Sequence, residues 1–346
     1  MTAPIGVGVI GVGYWGPNLL RNFNNASGAE ARWAADLDTG RLEHIKKLYP
    51  GVRTTQDYRE MLADEGTDAV VIATPADTHC RLAVEAFEAG KHVFVEKPMA
   101  ISEDECRQMV QASEKAGRKL MVGHTFLFNN AVHQIKQLID SGELGDIYYV
   151  YVNRVNLGLF REDCNVVWDL APHDIAILNW LLDSTPVSLT AVGHSYVQPD
   201  IEDVAFVNLQ YPNKVMAHLH VSWLDPNKVR TITVVGSKKM LVYDDVSNTE
   251  KLRVYDKGVN VVMPHYDTFG EFQLSYRYGD IVLPRIEDSE PLRNEAEHFV
   301  DAILNDSTPR SDGHSGLEVV RTLEAACDSM REGGAARILG GASVGG

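Results

Sequence analysis

Residues 5–36 open on Ile5-Gly6-Val7-Gly8-Val9-Ile10, turn through Gly11-Val12-Gly13-Tyr14-Trp15-Gly16-Pro17, and close on Arg32-Trp33-Ala34-Ala35-Asp36. The short apolar run predicts a buried strand. The pattern G-x-G-x-x-G is weak by itself. Here it follows a strand, opens a helix, and is followed about 20 residues beyond Gly16 by an acidic strand end, Asp36. Gly11 permits the tight turn, Gly13 lets the main chain approach a pyrophosphate, and Gly16 lets helix and strand pack closely. Amides at the helix start then face phosphate oxygens. Pro17 suits the first helical turn, where a missing N–H costs nothing. The stretch predicts a dinucleotide cradle, with Gly11, Gly13, Tyr14, Trp15 and Gly16 along the cofactor. A carboxylate at Asp36 accepts from a ribose 2′-hydroxyl and repels a 2′-phosphate, so NAD is expected in preference to NADP. Arg41 is the only cation nearby.

Outward from this unit, strand and helix signals alternate. Apolar runs at 68–73, 91–95 and 119–122 read as strands. Helices are read around Leu42, Ile45 and Leu48, from Ala83 to Phe87, and from the capping box at Ser102–Glu105 through Val110. Continuous apolar strands between helices mean a parallel sheet covered on both faces. Past residue 124 the texture changes. Helices are expected at 129–141 and 168–182, the second with Pro172 in its first turn. Strands are expected at 147–156, 187–197, 204–211, 215–223, 231–235 and 240–243, the last five in series without helices between them. Residues 264–289, with Phe269 and Phe272, suggest an ordered arm. Two helices close the chain near 290–305 and 314–331, and the glycine-rich tail 333–346 is expected to fray. The fold class is therefore α/β: a Rossmann doubly wound parallel sheet over residues 1–123, then an α+β domain over 124–346 with a large, mostly antiparallel open sheet for substrate and oligomer contacts.

Composition agrees. The 346 residues are 45% hydrophobic, enough for real cores, and exceed the ~250–300 residues at which one core stops growing. Lys plus Arg is 32 against 48 Asp plus Glu, a net charge of −16. That balance argues against nucleic acid and against an anionic membrane surface as partners. The start has no basic n-region or long apolar stretch, and no window approaches a membrane span, so a cytoplasmic protein is expected. Cys80, Cys106, Cys164 and Cys327 have neither metal-ligand nor disulfide spacing and read as reduced thiols; no metal is expected.

Three further segments carry chemistry. Ala73-Thr74-Pro75-Ala76-Asp77-Thr78-His79 and Glu96-Lys97-Pro98 stand at the carboxyl ends of strands, where open parallel sheets bind ligands. Trp168-Asp169-Leu170-Ala171-Pro172-His173-Asp174 puts Asp169 and His173 on one helix face. Together with the opening turn, these motifs match in order and spacing, over nearly the whole chain, those of the glucose-fructose oxidoreductase, inositol dehydrogenase and MocA family, which the chain resembles. Within it, the texture around Asn156, 168–174 and Ser222-Trp223-Leu224-Asp225-Pro226 is similar to enzymes that oxidise C3 of a nucleotide-linked sugar, of the UDP-N-acetylglucosamine or uronate type.

The resemblance implies an oxidoreductase and assigns roles. Lys97, before a proline that family members usually join through a cis bond, would steady the alkoxide or ketone oxygen. His173 would accept the hydroxyl proton, and Asp169 would orient His173 or bind the sugar. Thr74, Pro75, His79 and Glu96 would line the cofactor. The residues alone agree, since alcohol oxidation by nicotinamide needs one proton acceptor and one charge stabiliser. They also allow Asp169 simply to cap its helix, and Asp174 to be a solvated or structural carboxylate. His218 and His220 alternate with core residues and read as an exposed or interface sheet face. His124 stays open between ligand contact and packing. Arg154 and Arg161, on either side of Asn156, are candidates for a diphosphate or carboxylate; the bland alternative for each is a surface arginine. Three other readings stand beside the leading one. They are a ketoreductase of a deoxysugar nucleotide, a dehydrogenase of a free cyclitol or monosaccharide, and a sensor on the same fold. A sheet face not needed for the core, together with the resemblance, predicts a homodimer or homotetramer.

Overall fold

The structure is a computed structural model that describes residues 3–262 and 273–340. It contains two compact units, Met1–Asn129 with Ser289–Glu324, and Asn130–Asp288 with Ala325–Gly346. The second unit is thus interrupted by a return of the chain to the first, a feature for which the sequence texture gives no signal.

In the first unit the strands are β1 (Ile5–Ile10), β2 (Ala29–Ala35), β3 (Arg53–Thr55), β4 (Ala69–Ile72), β5 (His92–Glu96) and β6 (Leu120–Gly123). The helices between them are α1 (Gly16–Asn25), α2 (Thr39–Leu48), α3 (Tyr58–Ala63), α4 (His79–Glu88) and α5 (Glu103–Ala116). All the strand pairs are parallel and the order is β3-β2-β1-β4-β5-β6, the doubly wound arrangement expected. The short edge strand β3 and helix α3 were not located from the sequence, since three residues carry no period. Strands β4, β5 and β6 are buried almost throughout, as strands covered on both faces must be. Ser102 caps α5 by accepting from the Glu105 amide.

The second unit holds α6 (Asn130–Asp140), β7 (Ile147–Val155), α7 (Val166–Leu181), β8 (Ser188–His194), β9 (Val204–Gln210), β10 (Met216–Ser222), β11 (Val229–Gly236), β12 (Met240–Asp244), β13 (Leu252–Val262) and β14 (Gln273–Val282). Pro291–Leu304 then forms α8, which belongs to the first unit, and Gly313–Arg331 forms α9. Phe299 of α8 meets Phe23 of α1 and Phe94 of β5 edge to face, with centroids 6.1 and 5.8 Å away. Arg337–Ile338 forms β15, which pairs with β8. The glycine-rich tail is therefore ordered there and not frayed; residues 341–346 lie outside the described residues. Phe269 and Phe272 of the expected arm also lie outside them, while β13 and β14 on either side make an antiparallel pair that the sequence reading left unassigned.

The second sheet runs β14-β13-β12-β11-β7-β10-β9-β8-β15 and is antiparallel except for β7 beside β10. Period-2 alternation decides its faces. Ala217, Leu219 and Val221 of β10 are buried. The opposite face shows Met216, His218 and His220 beside Tyr149 and Tyr151 of β7 and Phe206 of β9. Phe206 stacks on His220 at 4.4 Å and on His218 at 6.0 Å. This aromatic face is partly exposed in the single chain.

Candidate active site

The cradle is built by close approach. Gly11 has φ +87°, and a Cβ there would stand 2.7 Å from the Ala73 carbonyl oxygen; at Gly16 it would stand 2.0 Å from that of Gly11. Both positions therefore require glycine, as the motif implied. Asp36 directly follows β2, with its carboxylate folded back on the turn. Oδ2 accepts from the Val12 amide at 2.8 Å and Oδ1 from the Asp38 amide at 2.9 Å. Each oxygen keeps a second lone pair for a ribose hydroxyl. Arg41, from α2, lies 3.6 Å from Asp36 and 3.7 Å from Asp38, over the Gly13 main chain. Tyr14 and Trp15 stack on each other at the tip of the turn, Tyr14 almost fully exposed. A glycine turn against the sheet, a helix start and a placed carboxylate fit a dinucleotide.

Two turns follow β4 and β5, and one buried histidine joins them. His79 Nδ1 lies 3.0 Å from the Pro98 carbonyl oxygen and Nε2 2.9 Å from that of Thr74. Both ring nitrogens thus face main-chain carbonyls, to one of which the neutral ring donates, and His79 stands between the Thr74-Pro75 turn and the Lys97-Pro98 turn. The Lys97–Pro98 bond is cis. Thr74 Oγ1 and Thr78 Oγ1 share a 2.6 Å hydrogen bond that closes the first turn.

Beneath Lys97 lie groups that sequence reasoning did not combine. Burial pushes Glu96 up to about 7, against the Lys97 charge and amide and the Trp15 indole. Glu295 of α8 is fully buried and accepts from Thr125 Oγ1 at 2.8 Å. Burial, and then the charge of Glu96, raise its pKa well above the carboxylate range. His124, left open by the sequence, is buried as well, and burial followed by the Lys97 charge pushes it down to about 3. It is a packed neutral imidazole at neutral pH.

In the second unit the candidates gather at the carboxyl ends of β7 and β10. Because these strands are parallel, both ends point the same way and bring the residues after Val155 and Ser222 together. The Asn156 amide donates to the Ser222 carbonyl and that of Gly158 to the Trp223 carbonyl. Asn165 caps α7, accepting from the Trp168 amide. The helix starts two residues earlier than expected, so Pro172 lies inside it and not in its first turn. Asp169 Oδ2 accepts from the Trp223 indole at 3.0 Å, while Oδ1 lies 3.6 Å from Arg161. His173 is half-buried one turn further on.

The two arginines divide. Arg154 is not a surface cation awaiting an anion. It is buried, and its guanidinium forks onto Asp174 with two hydrogen bonds of 2.7 Å. Asp174 is therefore a buried structural carboxylate, not a solvated one. Burial alone would lower the Arg154 pKa, but the paired carboxylate raises it overall. Arg161 stays half-exposed, forked on Asp163 at 2.9 and 2.6 Å and reaching Asp169. Its bond to Asp163 pushes its pKa up.

Among the described residues no group of three or more His, Cys, Asp or Glu could hold a metal, and no helix is long and apolar enough to cross a membrane. Residues 5–124 match the family described as oxidoreductases with an NAD-binding Rossmann fold, and residues 132–242 match the GFO/IDH/MocA C-terminal domain. The chain is 30% identical to inositol 2-dehydrogenase of Rhodococcus erythropolis over 77% of its own length and 79% of that relative's. It is 31% identical to an uncharacterised oxidoreductase of Streptococcus pneumoniae, a match that spans 61% of each chain. Among solved structures, UDP-N-acetylglucosamine 3-dehydrogenase from Acidithiobacillus ferrooxidans shares the fold, with a TM-score of 0.78 and 23% identity over 96% of this chain and 99% of that one.

Proposed function

Because the chain belongs to the GFO/IDH/MocA family of NAD(P)-dependent oxidoreductases, we propose that it oxidises, reversibly, a secondary hydroxyl of a sugar or cyclitol ring with NAD. The observation that carries this reading is the cradle of Gly11, Gly16 and Asp36 together with Lys97 at the carboxyl end of β5. A nicotinamide held there would supply the hydride acceptor. The protein supplies the rest. Lys97 steadies the substrate oxygen as it gains negative charge, which is worth most where water is excluded. His173 takes the hydroxyl proton and returns it in the reverse direction. Asp169, fixed by Trp223 and Arg161, is placed to orient the histidine or to accept from the sugar. Thr74, Pro75 and Glu96 bound the cofactor side, and Asn156 the sugar side. NAD is favoured over NADP because Asp36 would face the 2′-position.

The inositol dehydrogenase relatives support a neutral ring as substrate. A nucleotide-linked sugar, oxidised at C3 or reduced from the 3-ketone, is the second reading. It is favoured by the half-exposed guanidinium of Arg161, and Arg154 no longer supports it. The aromatic sheet face of Tyr149, Tyr151, Phe206 and Met216 favours a homodimer or homotetramer through the second unit. The test is absorbance at the reduced-nicotinamide band with NAD and a panel of cyclitols, monosaccharides and UDP- or TDP-sugars. Turnover with one class and its loss in Lys97→Ala and His173→Ala are expected. Tight NAD binding without turnover on any member would point to a sensor, and wild-type turnover in either variant would refute the roles.

A further inference from the structure

Glu96 and Glu295 are a buried carboxyl pair; the chemistry proposed above sets Glu96 beside the cofactor without using its proton and gives Glu295 no part. Glu96 ends β5 beside Lys97, and Glu295 enters from α8 with no exposure. Glu295 sits on the buried stripe of its helix, between Leu292 and Phe299, where an apolar residue is the ordinary choice. Few donors reach them: the Lys97 amide meets Glu96 Oε2 at 3.2 Å, with the Trp15 indole beside that carboxyl, and Thr125 Oγ1 meets Glu295 Oε2 at 2.8 Å. Oε1 of both is buried without a hydrogen-bond partner among the described residues.

Two carboxylates in one dry volume repel, and each is charged at a cost that only a nearby cation or several donors offset. The groups around them limit that compensation. Lys97 is the cation whose charge acts on Glu96. His124, at the end of β6, is held neutral by burial. His79, from α4, is turned to main-chain carbonyls. From the start of α1 comes the uncharged Trp15 indole, while Arg21 and Asn22 pair with Glu290. His298, further along α8, accepts from the Arg310 amide. Among the described residues, Lys97 is the cation whose charge acts on the pair, through Glu96, while Arg310 is turned to the Leu127 carbonyl and the Phe128 ring.

We propose that the pair is a proton store that responds to the charge of the bound dinucleotide. Glu295 keeps its proton throughout. Glu96 releases its proton to solvent when the positively charged oxidised nicotinamide binds, and keeps it with the neutral reduced form. The inference rests on the NAD reading above, which puts the nicotinamide at the carboxyl ends of β4 and β5, where Glu96 ends its strand. A carboxyl lifted to about 7 is half-protonated at neutral pH, so a positive ring nearby is enough to discharge it.

The test is titration calorimetry of the whole chain at pH 7 with NAD and, separately, NADH, each in two buffers of different ionisation enthalpy. About half a proton should leave per NAD bound and close to none per NADH. Whatever affinity Glu96→Gln keeps for the two dinucleotides, the heat of binding should be the same in both buffers. Glu295→Gln should keep the release, because the amide replaces a carboxyl that stays protonated. Binding of NAD without proton release in the wild type, or equal release in Glu96→Gln, would overturn the proposal, as would loss of the release in Glu295→Gln. Absence of binding heat with either dinucleotide is a different result and would strike down the cofactor reading itself. Should Glu96→Gln not fold, carboxyl carbon-13 titration of the wild type gives the same answer: a resonance titrating near 7 must move down when NAD is added.

Discussion

Arg154 and Asp174 give the sharpest test of what the second unit needs simply to stand. Arg154 lies on β7 and Asp174 on α7, with side chains 9% and 1% exposed and two charge-assisted bonds of 2.7 Å between them. Replacing Arg154 by Met leaves a carboxylate in a dry site without its fork. Breaking a buried pair from one side costs about 3–5 kcal/mol. Replacing both, Arg154→Met with Asp174→Leu, removes both desolvation costs together, and such exchanges are commonly neutral or stabilising by ~1–4 kcal/mol. The double variant should therefore be more stable than either single one, with a coupling of several kcal/mol, roughly the cost of the stranded charge. Urea unfolding followed by tryptophan fluorescence measures this, since Trp168, Trp180 and Trp223 all lie in the second unit. If Arg154→Met lost less than about 1 kcal/mol and instead raised KM for a nucleotide sugar, the residue would be a substrate contact and the structural reasoning would fail.

Two further predictions concern pH and cofactor choice. Glu96 binds its proton more tightly folded, at about 7, than unfolded, at 4.5, so its contribution is complete below 4.5 and is lost as pH rises through 7, about 3 kcal/mol in all. His124 works in the opposite sense: folded near 3 against 6.5 unfolded, it contributes above 6.5 and is lost as pH falls. Urea midpoints of the cofactor-free protein should therefore be highest on the acid side of neutrality, and Glu96→Gln should remove the fall that Glu96 contributes between about 4.5 and 7, so that it no longer offsets the rise due to His124 up to about 6.5. Asp36→Ser should raise the ratio of kcat/KM for NADP to that for NAD by roughly tenfold, because the carboxylate leaves and Arg41 keeps only its exposed pair with Asp38; adding Arg41→Ala should reverse the gain. An unchanged ratio would show that Asp36 does not face the 2′-position.

How much of this was legible in the sequence depends on how local the cause is. The turn at Gly11–Gly16 was legible because strand, turn, helix and acidic strand end all lie within about 30 residues. The alternation on β10 predicted which face Leu219 and His218 take, since a pleated strand allows no other arrangement. Arg154 was misread for the opposite reason. Its partner comes from a helix 20 residues on, and only the packing of α7 on β7 brings them together. His79 carried a motif, but its two carbonyl partners belong to separate turns. Glu295 did leave a signal that went unused: a carboxylate on the apolar stripe of α8. Strand β15 was hidden because a glycine-rich tail reads as loose, although two residues paired to an existing edge suffice to order it.

The net charge of −16 bears directly on the two substrate readings. A diphosphate needs a cation that can change partners. Arg154 is excluded by its buried fork, whose loss costs several kcal/mol. Arg161 differs: it is 43% exposed, and exposed ion pairs are worth about 0–1 kcal/mol, so Asp163 can be displaced at little cost. Displacing it also loosens the 3.6 Å contact that helps to hold Asp169. If the substrate is a nucleotide sugar, Arg161→Ala should raise its KM ten- to a hundredfold, as expected for a lost charge-assisted contact, while a free cyclitol keeps its KM. If the substrate is a neutral ring, the same variant should change kcat, through Asp169, and leave KM where it was. An Arg161→Ala enzyme unchanged in both parameters on every substrate would remove the arginine from the site and with it the last cation, among those read from the sequence, that supports the nucleotide reading.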